Sequence, residues 1–233
     1  MTDFHSHILP GVDDGSPSVE VSLAMLRTAA DQGVTQVVAT PHFYPRYDDP
    51  RRFLERRDRA EEALREAMSR HEGLPRLLVG AETAFFRGIS ASEFLPELTI
   101  RGKRCILIEM PPAPWPEEYW RELEAIWHKR GILPVIAHID RYISPFRTHG
   151  IPQRLARMPV YVQANAEFFL DRSTAGMAMR MLKAGQIHLL GSDCHNLDSR
   201  KPNLGPALER IRRRVGEEAL LQIRACCLEV LEA

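Results

Sequence analysis

The chain has 233 residues, with 31 Lys and Arg residues balancing 31 Asp and Glu residues, so its formal net charge at pH 7 is zero. Proteins that coat nucleic acid or an anionic membrane normally carry a basic excess, because neutralising phosphate groups supplies most of such binding. The balanced charge therefore argues against both partners. With 44% hydrophobic and 27% charged residues, the composition is that of a globular protein, and the length fits one α/β barrel domain.

Neither the N-terminus nor the cysteines indicate export. Residues 1–5 contain no basic start and begin no apolar segment, and no apolar run approaches the roughly 18 residues that suggest a membrane span. The cysteines lack zinc-finger spacing, and two are adjacent, so no disulfide framework is expected. We therefore expect a cytoplasmic protein without membrane insertion. The cysteines are Cys105, Cys194, Cys226 and Cys227.

Seven short aliphatic and β-branched runs alternate with longer charged segments that have helical spacing. The first helix is predicted to begin at Ser16-Pro17, where a capping serine precedes a first-turn proline, and to end at Gly33. The remaining elements are predicted in the same way, from the spacing of apolar residues and from the glycine and proline residues that flank each segment. The predicted strands are Thr2–His7, Val34–His42, Arg76–Glu82, Arg104–Met110, Leu133–Ile139, Val160–Asn165 and Ile187–His195, and the later helices are Arg51–His71, Glu117–Arg130, Thr174–Ala184 and Pro206–Leu231.

The order of these elements predicts the fold class. Strands that alternate with helices and lack clean polar alternation indicate a parallel sheet covered by helices. No G-x-G-x-x-G or G-x-x-x-x-G-K-[ST] fingerprint follows a strand, which argues against a nucleotide-binding open sheet. We therefore predict an α/β fold, a distorted TIM-like barrel of seven strands, with residues 1–233 in a single domain.

Six of the seven predicted strands end in a residue that can bind a metal ion. In parallel α/β barrels the carboxyl ends of all strands converge on one face, where active sites are built. Each such residue alone has an ordinary structural explanation, but burying several acids without partners is costly. Together with one carboxylate just after the first strand, the predicted metal ligands are His5, His7, Asp14, His42, Glu82, Glu109, His138, Asp193 and His195.

The number of ligands predicts the number of ions and the substrate charge. Nine ligands suffice for three divalent ions with about three protein ligands each. Three divalent ions outweigh four carboxylates, so the site suits an anionic substrate, and a phosphate ester fits best. Arg141 and Arg200 follow the fifth and seventh strands, and each guanidinium can bind two phosphate oxygens, which makes them the catalytic candidates. Cys194 and Arg200 have the C-x5-R spacing of thiolate phosphatases, but that interpretation leaves the ligand set without a purpose.

Six segments carry recognisable motifs: DFHSHILPGVDDG at 3–15, ATPH at 39–42, GAE at 80–82, IE at 108–109, AHIDRY at 137–142 and SDCHN at 192–196. These motifs resemble those of the polymerase and histidinol phosphatase (PHP) superfamily. They are more narrowly similar to the bacterial manganese-dependent protein tyrosine phosphatases of capsule and exopolysaccharide clusters. The resemblance implies the PHP fold, a distorted seven-stranded barrel with a trinuclear metal site. Two positions depart from the family pattern: Asp140 where Glu is usual, and Ser199-Arg200-Lys201-Pro202 where Gly-Arg-Pro-Pro is common.

The resemblance also implies how the ligands divide among three ions, with manganese expected and iron, zinc or magnesium as alternatives. One ion would be held by His5, His7, Glu82 and Asp193. Glu82 would bridge to a second ion that Glu109 and His138 also bind. Asp14, His42 and His195 would hold the third.

We predict a metal-dependent phosphomonoesterase in which a metal-bound hydroxide attacks phosphorus in line. Phosphotyrosine is the favoured substrate, because a phenol with a pKa near ~10 leaves more easily than an alcohol. The resemblance implies that the substrate protein is a tyrosine autokinase controlling capsular or exopolysaccharide synthesis. Phe43, Tyr44 and Tyr47 would either stack on a phenolic substrate or pack the barrel mouth. The alternatives are a histidinol-phosphate phosphatase, a nucleotide phosphodiesterase, a metal-dependent amidohydrolase and a non-catalytic metal-binding module.

Overall fold

The computed structural model describes residues 1–112, 114–143 and 150–232. Within them, nine short strands pair in parallel, and together they account for all seven predicted strands. The strands are β1 Thr2–Ser6, β2 Gln36–Ala39, β3 His42–Phe43, β4 Arg76–Val79, β5 Glu82–Ala84, β6 Cys105–Glu109, β7 Leu133–Ile136, β8 Tyr161–Asn165 and β9 Leu189–Gly191.

The strands curl into a distorted barrel, as predicted. One sheet has the order β1-β2-β4 and the other has the order β3-β5-β6-β7-β8-β9. The outer strands β1 and β9 meet through a parallel bridge between Ser6 and Cys194. The backbone N–H of Asp193 donates to the carbonyl of His5 (2.9 Å) and that of His7 donates to Cys194 (2.9 Å). These bonds bring the first and last strands together at the carboxyl end of the sheet.

Two of the predicted strands are interrupted, which the sequence analysis did not anticipate. The run Val34–His42 becomes β2 and β3, because Pro41 has no N–H to continue the ladder. The run Arg76–Glu82 becomes β4 and β5, with Gly80 between them. A Cβ at Gly80 would lie 3.1–3.3 Å from Ile100, so the close approach favours glycine there.

Nine helices cover the described part of the sheet, and their caps follow local chemistry. The first helix is capped by Ser18, whose side chain accepts from Val21 N, so the predicted cap at Ser16 was wrong by two residues. The third ends at Gly131, whose φ of 59° is the left-handed conformation typical of a C-terminal glycine. The helices are α1 Val19–Asp31, α2 Pro50–Met68, α3 Glu117–Arg130, α4 Ile139–Tyr142, α5 Ile151–Leu155, α6 Ala166–Leu170, α7 Ala175–Lys183, α8 Leu204–Arg214 and α9 Glu217–Glu232.

The single C-terminal helix predicted over Pro206–Leu231 is in fact two helices. The chain bends at Gly216, whose φ of 116° is available to glycine but not to a helical residue. The buried hydrophobic residues of strands and helices form one core cluster below the mouth. Every helix in the described ranges is too short or too polar to span a lipid bilayer.

Candidate metal centre

All nine predicted ligands lie together at the carboxyl ends of the strands. They form four overlapping groups in which one potential ligand atom of each residue lies within 4.8 Å of the others. The sequence prediction that these distant residues meet is therefore realised in the fold. The groups are His7, Asp14, His42 and His195; His5, Glu82 and His138; His5, His7 and Asp193; and His42, Glu82 and Glu109.

Strand geometry explains why the side chains point to one place. His5 and His7 are two residues apart, and alternate residues of a strand face the same side. His42 opens β3 and Glu82 opens β5, and the two residues are direct partners in the parallel register. Glu109 closes β6. The strand ends thus deliver imidazoles and carboxylates to the same level of the barrel.

Two of the predicted ligands adopt a backbone conformation that non-glycine residues rarely use. Among the described residues, His138 (φ 50°) and Asp193 (φ 54°) are the non-glycine residues with positive φ. Such conformations cost about 1 kcal/mol or more and persist where surrounding contacts enforce them, commonly at functional sites. Here the hydrogen bond from Asp193 N to His5 O and that from Arg141 N to His138 O hold the two strand ends. The left-handed turn returns both side chains to the cluster.

Glu82 lies at the centre of the cluster. Its Oε1 lies 2.5 Å from His138 Nε2, and its Oε2 lies 3.2 Å from His5 Nε2, 3.3 Å from His7 Nε2 and 2.9 Å from His42 Nδ1. Burial acts to raise the pKa of this carboxyl, but the surrounding histidines hold it well below its usual value. An ionised carboxylate that reaches four imidazoles is suited to bridge two metal ions.

The protonation states favour metal binding at several positions. Burial lowers the pKa of His5, and burial together with His7 and Arg200 lowers the pKa of His195 to about 4, so both imidazoles are neutral at pH 7. Neutral imidazole is the form that binds a metal. The pKa of His7 is raised well above its usual value, because hydrogen bonds to Asp13, Asp193 and Glu82 outweigh burial. A metal ion bound at His7 would therefore have to displace a proton.

Unpartnered polar atoms provide a direct test of whether metal ions fit these residues. Within the described residues, buried His195 Nε2 has no hydrogen-bond partner, and the close contacts of His42 Nδ1 with Glu82 and of Asp193 Oδ1 with Arg200 lack hydrogen-bond geometry. His5 Nε2 and His7 Nε2 lie 3.1 Å apart, where they can share at most one proton. Buried polar atoms are almost always hydrogen-bonded. Bound cations would satisfy all five atoms, and a mixed imidazole and carboxylate set suits manganese, iron or zinc.

The two predicted arginines lie at the rim of the cluster. Arg141 Nη1 lies 2.6 Å from Glu109 Oε1 and its Nη2 lies 3.2 Å from Asp193 Oδ2. Arg200 Nη2 lies 2.9 Å from Asp193 Oδ1, and its Nη1 lies 3.9 Å from Asp14 Oδ2. Both side chains are about two-fifths exposed, at 41% and 38%. Each guanidinium therefore touches the ligands at one side and solvent at the other.

Asp13 is a buried acid of the site that the sequence analysis did not assign. Its Oδ2 accepts from His7 Nδ1 (2.7 Å) and from the backbone N–H of His42 (2.9 Å), and its Oδ1 accepts from Gly15 N (2.9 Å). A carboxylate on the far nitrogen of a ligating histidine fixes the ring and its tautomer. The sequence signal for this role was the pair Asp13-Asp14, in which Asp14 was predicted as a metal ligand and Asp13 had no predicted role.

The sixth predicted strand, which ends in no metal ligand, supplies orienting amides instead. Asn165 Oδ1 lies 2.9 Å from His138 Nδ1, and Asn165 Nδ2 donates to Asp193 Oδ2 (3.1 Å). Gln163 Oε1 accepts from His138 N at 2.9 Å. Asp140, the residue that departs from the family pattern, accepts from Asn165 N at 3.1 Å. Polar residues at alternate positions of an otherwise apolar strand were the signal for this role.

The burial of Cys194 argues against the thiolate phosphatase interpretation. Cys194 is buried, and burial raises the pKa of its thiol, so the nucleophilic thiolate is disfavoured.

The aromatic residues that follow His42 differ in burial. Phe43 is buried and packs against Phe53 with ring centroids 5.1 Å apart. Tyr44 and Tyr47 instead lie at the surface.

A parallel α/β barrel whose strands deliver imidazoles and carboxylates to one face belongs to the class of barrel metalloenzymes. Residues 1–227 match the family model for capsular polysaccharide synthesis, CpsB/CapC. The chain belongs to this family. It is 31% identical over 233 residues to the tyrosine-protein phosphatase CpsB of Streptococcus pneumoniae, covering 93% of this chain and 91% of the relative.

Two further comparisons agree. The tyrosine-protein phosphatase YwqE of Bacillus subtilis is 27% identical over 226 residues, covering 94% of this chain and 86% of the relative. A crystal structure from work on YwqE of B. subtilis and CpsB of S. pneumoniae, described as unique metal-dependent tyrosine phosphatases, matches with a TM-score of 0.85 and 23% identity, covering 100% of this chain and 94% of the other. That match establishes the shared fold.

Proposed function

We propose that this protein is a metal-dependent protein tyrosine phosphatase that acts in capsular or exopolysaccharide synthesis. The observation that carries the proposal is the convergence of nine potential metal ligands at the strand ends, with two arginines at their rim. Divalent cations and guanidinium groups around one cavity form a site for phosphoryl oxygens. Family membership supports the same activity, since its curated relatives are named tyrosine-protein phosphatases.

The proposed cofactors are three divalent ions, with manganese as the first choice. His5, His7, Glu82 and Asp193 would hold one ion. Glu82, Glu109 and His138 would hold a second, while Asp14, His42 and His195 would hold the third. The close groups of side chains support the first and third sets, whereas Glu109 and His138 each group with Glu82 but not with each other. When bound, such ions stabilise charge on the phosphoryl group and lower the pKa of coordinated water.

The chain's own contribution is to bind and orient the phosphoryl group. Arg141 and Arg200 are proposed to exchange their hydrogen bonds with Glu109 and Asp193 for hydrogen bonds to the phosphate oxygens when substrate binds. Glu109 and Asp193 are themselves proposed metal ligands, so bound metal ions would neutralise these carboxylates in place of the arginines and favour the exchange. Because each fork donates two parallel hydrogen bonds, the two residues fix the phosphate and stabilise the charge that develops on it.

The proposed substrate is phosphotyrosine on a protein, with a tyrosine autokinase as the partner. A phenolic leaving group has a conjugate acid with a pKa near ~10, so it departs with less proton transfer than an alcohol requires. Protein phosphorylation consumes ATP, which supports a cytoplasmic site for the enzyme. Four free cysteines within the fold are consistent with a reducing compartment. We propose that residues 1–233 act as one domain.

A substrate panel tests the proposal. Purified protein with added manganese is expected to hydrolyse a phosphotyrosine peptide with a kcat/KM at least tenfold above that for histidinol phosphate or a dinucleotide. Asp193→Asn and His42→Ala are expected to remove this activity and to lower manganese binding. Asp198→Asn is the matched control, because Asp198 is an exposed acid five residues from Asp193. Full activity in both site variants, or preference for another panel member, would contradict the proposal.

A further inference from the structure

A cleft of about 320 Å³ opens beside the metal centre, and its lining is aromatic and apolar. We call it the aryl cleft; its two walls are residues 44–47 and residues 84–86. The first wall follows β3 and the second includes the end of β5. His42 and Glu82 are direct partners in this strand pair, so both walls begin at the level of two proposed metal ligands. The cleft is therefore a continuation of the site.

Tyr44 stands where the cleft meets the metal centre. Its ring stacks on the His42 ring with centroids 4.9 Å apart and an interplanar angle of 25°. Tyr44 thus forms a wall common to the cleft and the metal centre.

The walls are held in place by contacts that do not fill the cleft. The backbone N–H groups of Tyr47 and Asp48 both donate to the carbonyl of Tyr44 (2.8 Å each), and Asp48 Oδ2 accepts from Tyr44 N at 2.9 Å. On the other wall, Phe85 N donates to the carbonyl of Glu109 at 2.8 Å, and the Phe85 ring packs on Tyr119 with centroids 4.5 Å apart. The cleft is therefore preformed on both sides.

The exposure of the aromatic rings lacks a packing explanation. Tyr47 is 80% exposed and Tyr44 is 37% exposed, although the adjacent Phe43 is fully within the core. The Arg46 guanidinium lies 5.6 Å from the Tyr47 ring centroid, so the outer end of the cleft also carries a positive charge. Aromatic side chains in this position supply a large contact area at low entropic cost, which is a property of binding surfaces.

We propose that the aryl cleft binds the phenyl ring of the phosphotyrosine substrate, with the Tyr44 ring as its main contact. This inference rests on the proposed phosphatase function. In an aryl phosphate the ring is joined to phosphorus through one oxygen, so a phosphate between Arg141 and Arg200 holds its ring directly beside the metal centre. Tyr44 is the aromatic residue that borders the metal centre there. Offset or edge-to-face contact between two aromatic rings, with centroids about 4.5–7 Å apart, is favourable beyond simple burial.

The test compares an aryl phosphate with an alkyl phosphate in wild type and variants. Phenyl phosphate and propyl phosphate differ in leaving-group chemistry, but that difference is the same in every variant and cancels from the ratio. Tyr44→Ala is expected to lower the phenyl-to-propyl ratio of kcat/KM about tenfold, the size expected for losing an aromatic pair and its burial. Tyr44→Phe keeps the ring and is expected to retain the wild-type ratio within twofold.

Inhibition by phosphonates gives a readout that does not depend on turnover. Phenylphosphonate is expected to bind Tyr44→Ala about tenfold more weakly than wild type, while methylphosphonate binding changes less than twofold. Phe86→Ala, on the opposite wall, is expected to lower the phenyl-to-propyl ratio of kcat/KM and the affinity for phenylphosphonate relative to methylphosphonate, as Tyr44→Ala does. It replaces Tyr44→Ala in the test if that variant fails to fold. Trp127→Ala is the matched control, because Trp127 is also 37% exposed and lies eight residues beyond Tyr119 on α3.

The outcomes separate this inference from the function on which it depends. Wild-type protein that hydrolyses neither phosphate would contradict the proposed function. Wild-type hydrolysis with equal losses for phenyl and propyl phosphate in Tyr44→Ala would overturn the aryl cleft alone, because it would indicate a general role in shaping the metal centre. A loss in Tyr44→Phe equal to that in Tyr44→Ala would also overturn it, since the hydroxyl and not the ring would then be responsible.

Discussion

Asp13→Asn perturbs metal binding without removing a proposed metal ligand. In the wild type the Asp13 carboxylate accepts three hydrogen bonds, from His7 Nδ1, His42 N and Gly15 N. An asparagine retains one acceptor oxygen and loses the negative charge, so it loses either the bond from Gly15 or both bonds from His7 and His42, and any bond that remains to His7 is to a neutral acceptor. A hydrogen bond to a charged group contributes about 1.5–3 kcal/mol. Loss of an orienting partner of a ligating histidine typically lowers metal affinity about 10- to 100-fold.

These two magnitudes agree, because a tenfold change in affinity corresponds to about 1.4 kcal/mol. We therefore expect Asp13→Asn to weaken manganese binding about 30-fold, measured by competition with a metal-sensitive chelator on metal-stripped protein. Asp171→Asn is the control, since Asp171 also accepts from a backbone N–H, that of Ser173, but in an exposed turn. Affinity within twofold of wild type for Asp13→Asn would refute the orienting role of Asp13.

Three further changes test other parts of the account. Arg200→Lys replaces a fork with a point charge and is expected to raise the inhibition constant for inorganic phosphate about tenfold, measured in steady-state assays; an unchanged constant would remove Arg200 from the phosphate site. A Cβ at Gly15 would overlap the His7 backbone, so Gly15→Ala is expected to lower both the melting temperature and manganese affinity, whereas Gly176→Ala, whose Cβ would make only an ordinary contact with Arg180 within a helix, is not. Burial raises the pKa of Asp3 to about 6, so ionised Asp3 destabilises the metal-free fold as pH rises through that value. Asp3→Asn is expected to raise the metal-free melting temperature by several degrees near pH 7.5 and by little near pH 4, and an equal gain at both pH values would contradict this.

The barrel could be predicted because its determinants are local. Each apolar run is a strand, each charged run with helical spacing is a helix, and ligand-type residues such as Glu82 and Asp193 follow the runs at a constant position. Because the carboxyl ends of the strands converge in a parallel barrel, these ligand-type residues meet once the barrel forms. The breaks at Pro41 and Gly80 were missed, although both residues are known strand breakers, because the apolar pattern continues across them.

The orienting residues could not be predicted with the same ease. Asp13, Gln163 and Asn165 act through hydrogen bonds to histidines on other strands, and such partners are set by tertiary structure. The short helix α4 was also missed, since four residues carry no period. Gly216 interrupts the C-terminal helix through a backbone angle that the apolar spacing on either side does not reveal.

Anomalous diffraction from crystals grown with manganese and phosphate tests the central claim most directly. The account predicts three manganese peaks among the nine ligands, with Glu82 between two of them and the phosphate contacted by Arg141 and Arg200. No manganese peak within this cluster, or phosphate bound away from both arginines, would contradict it.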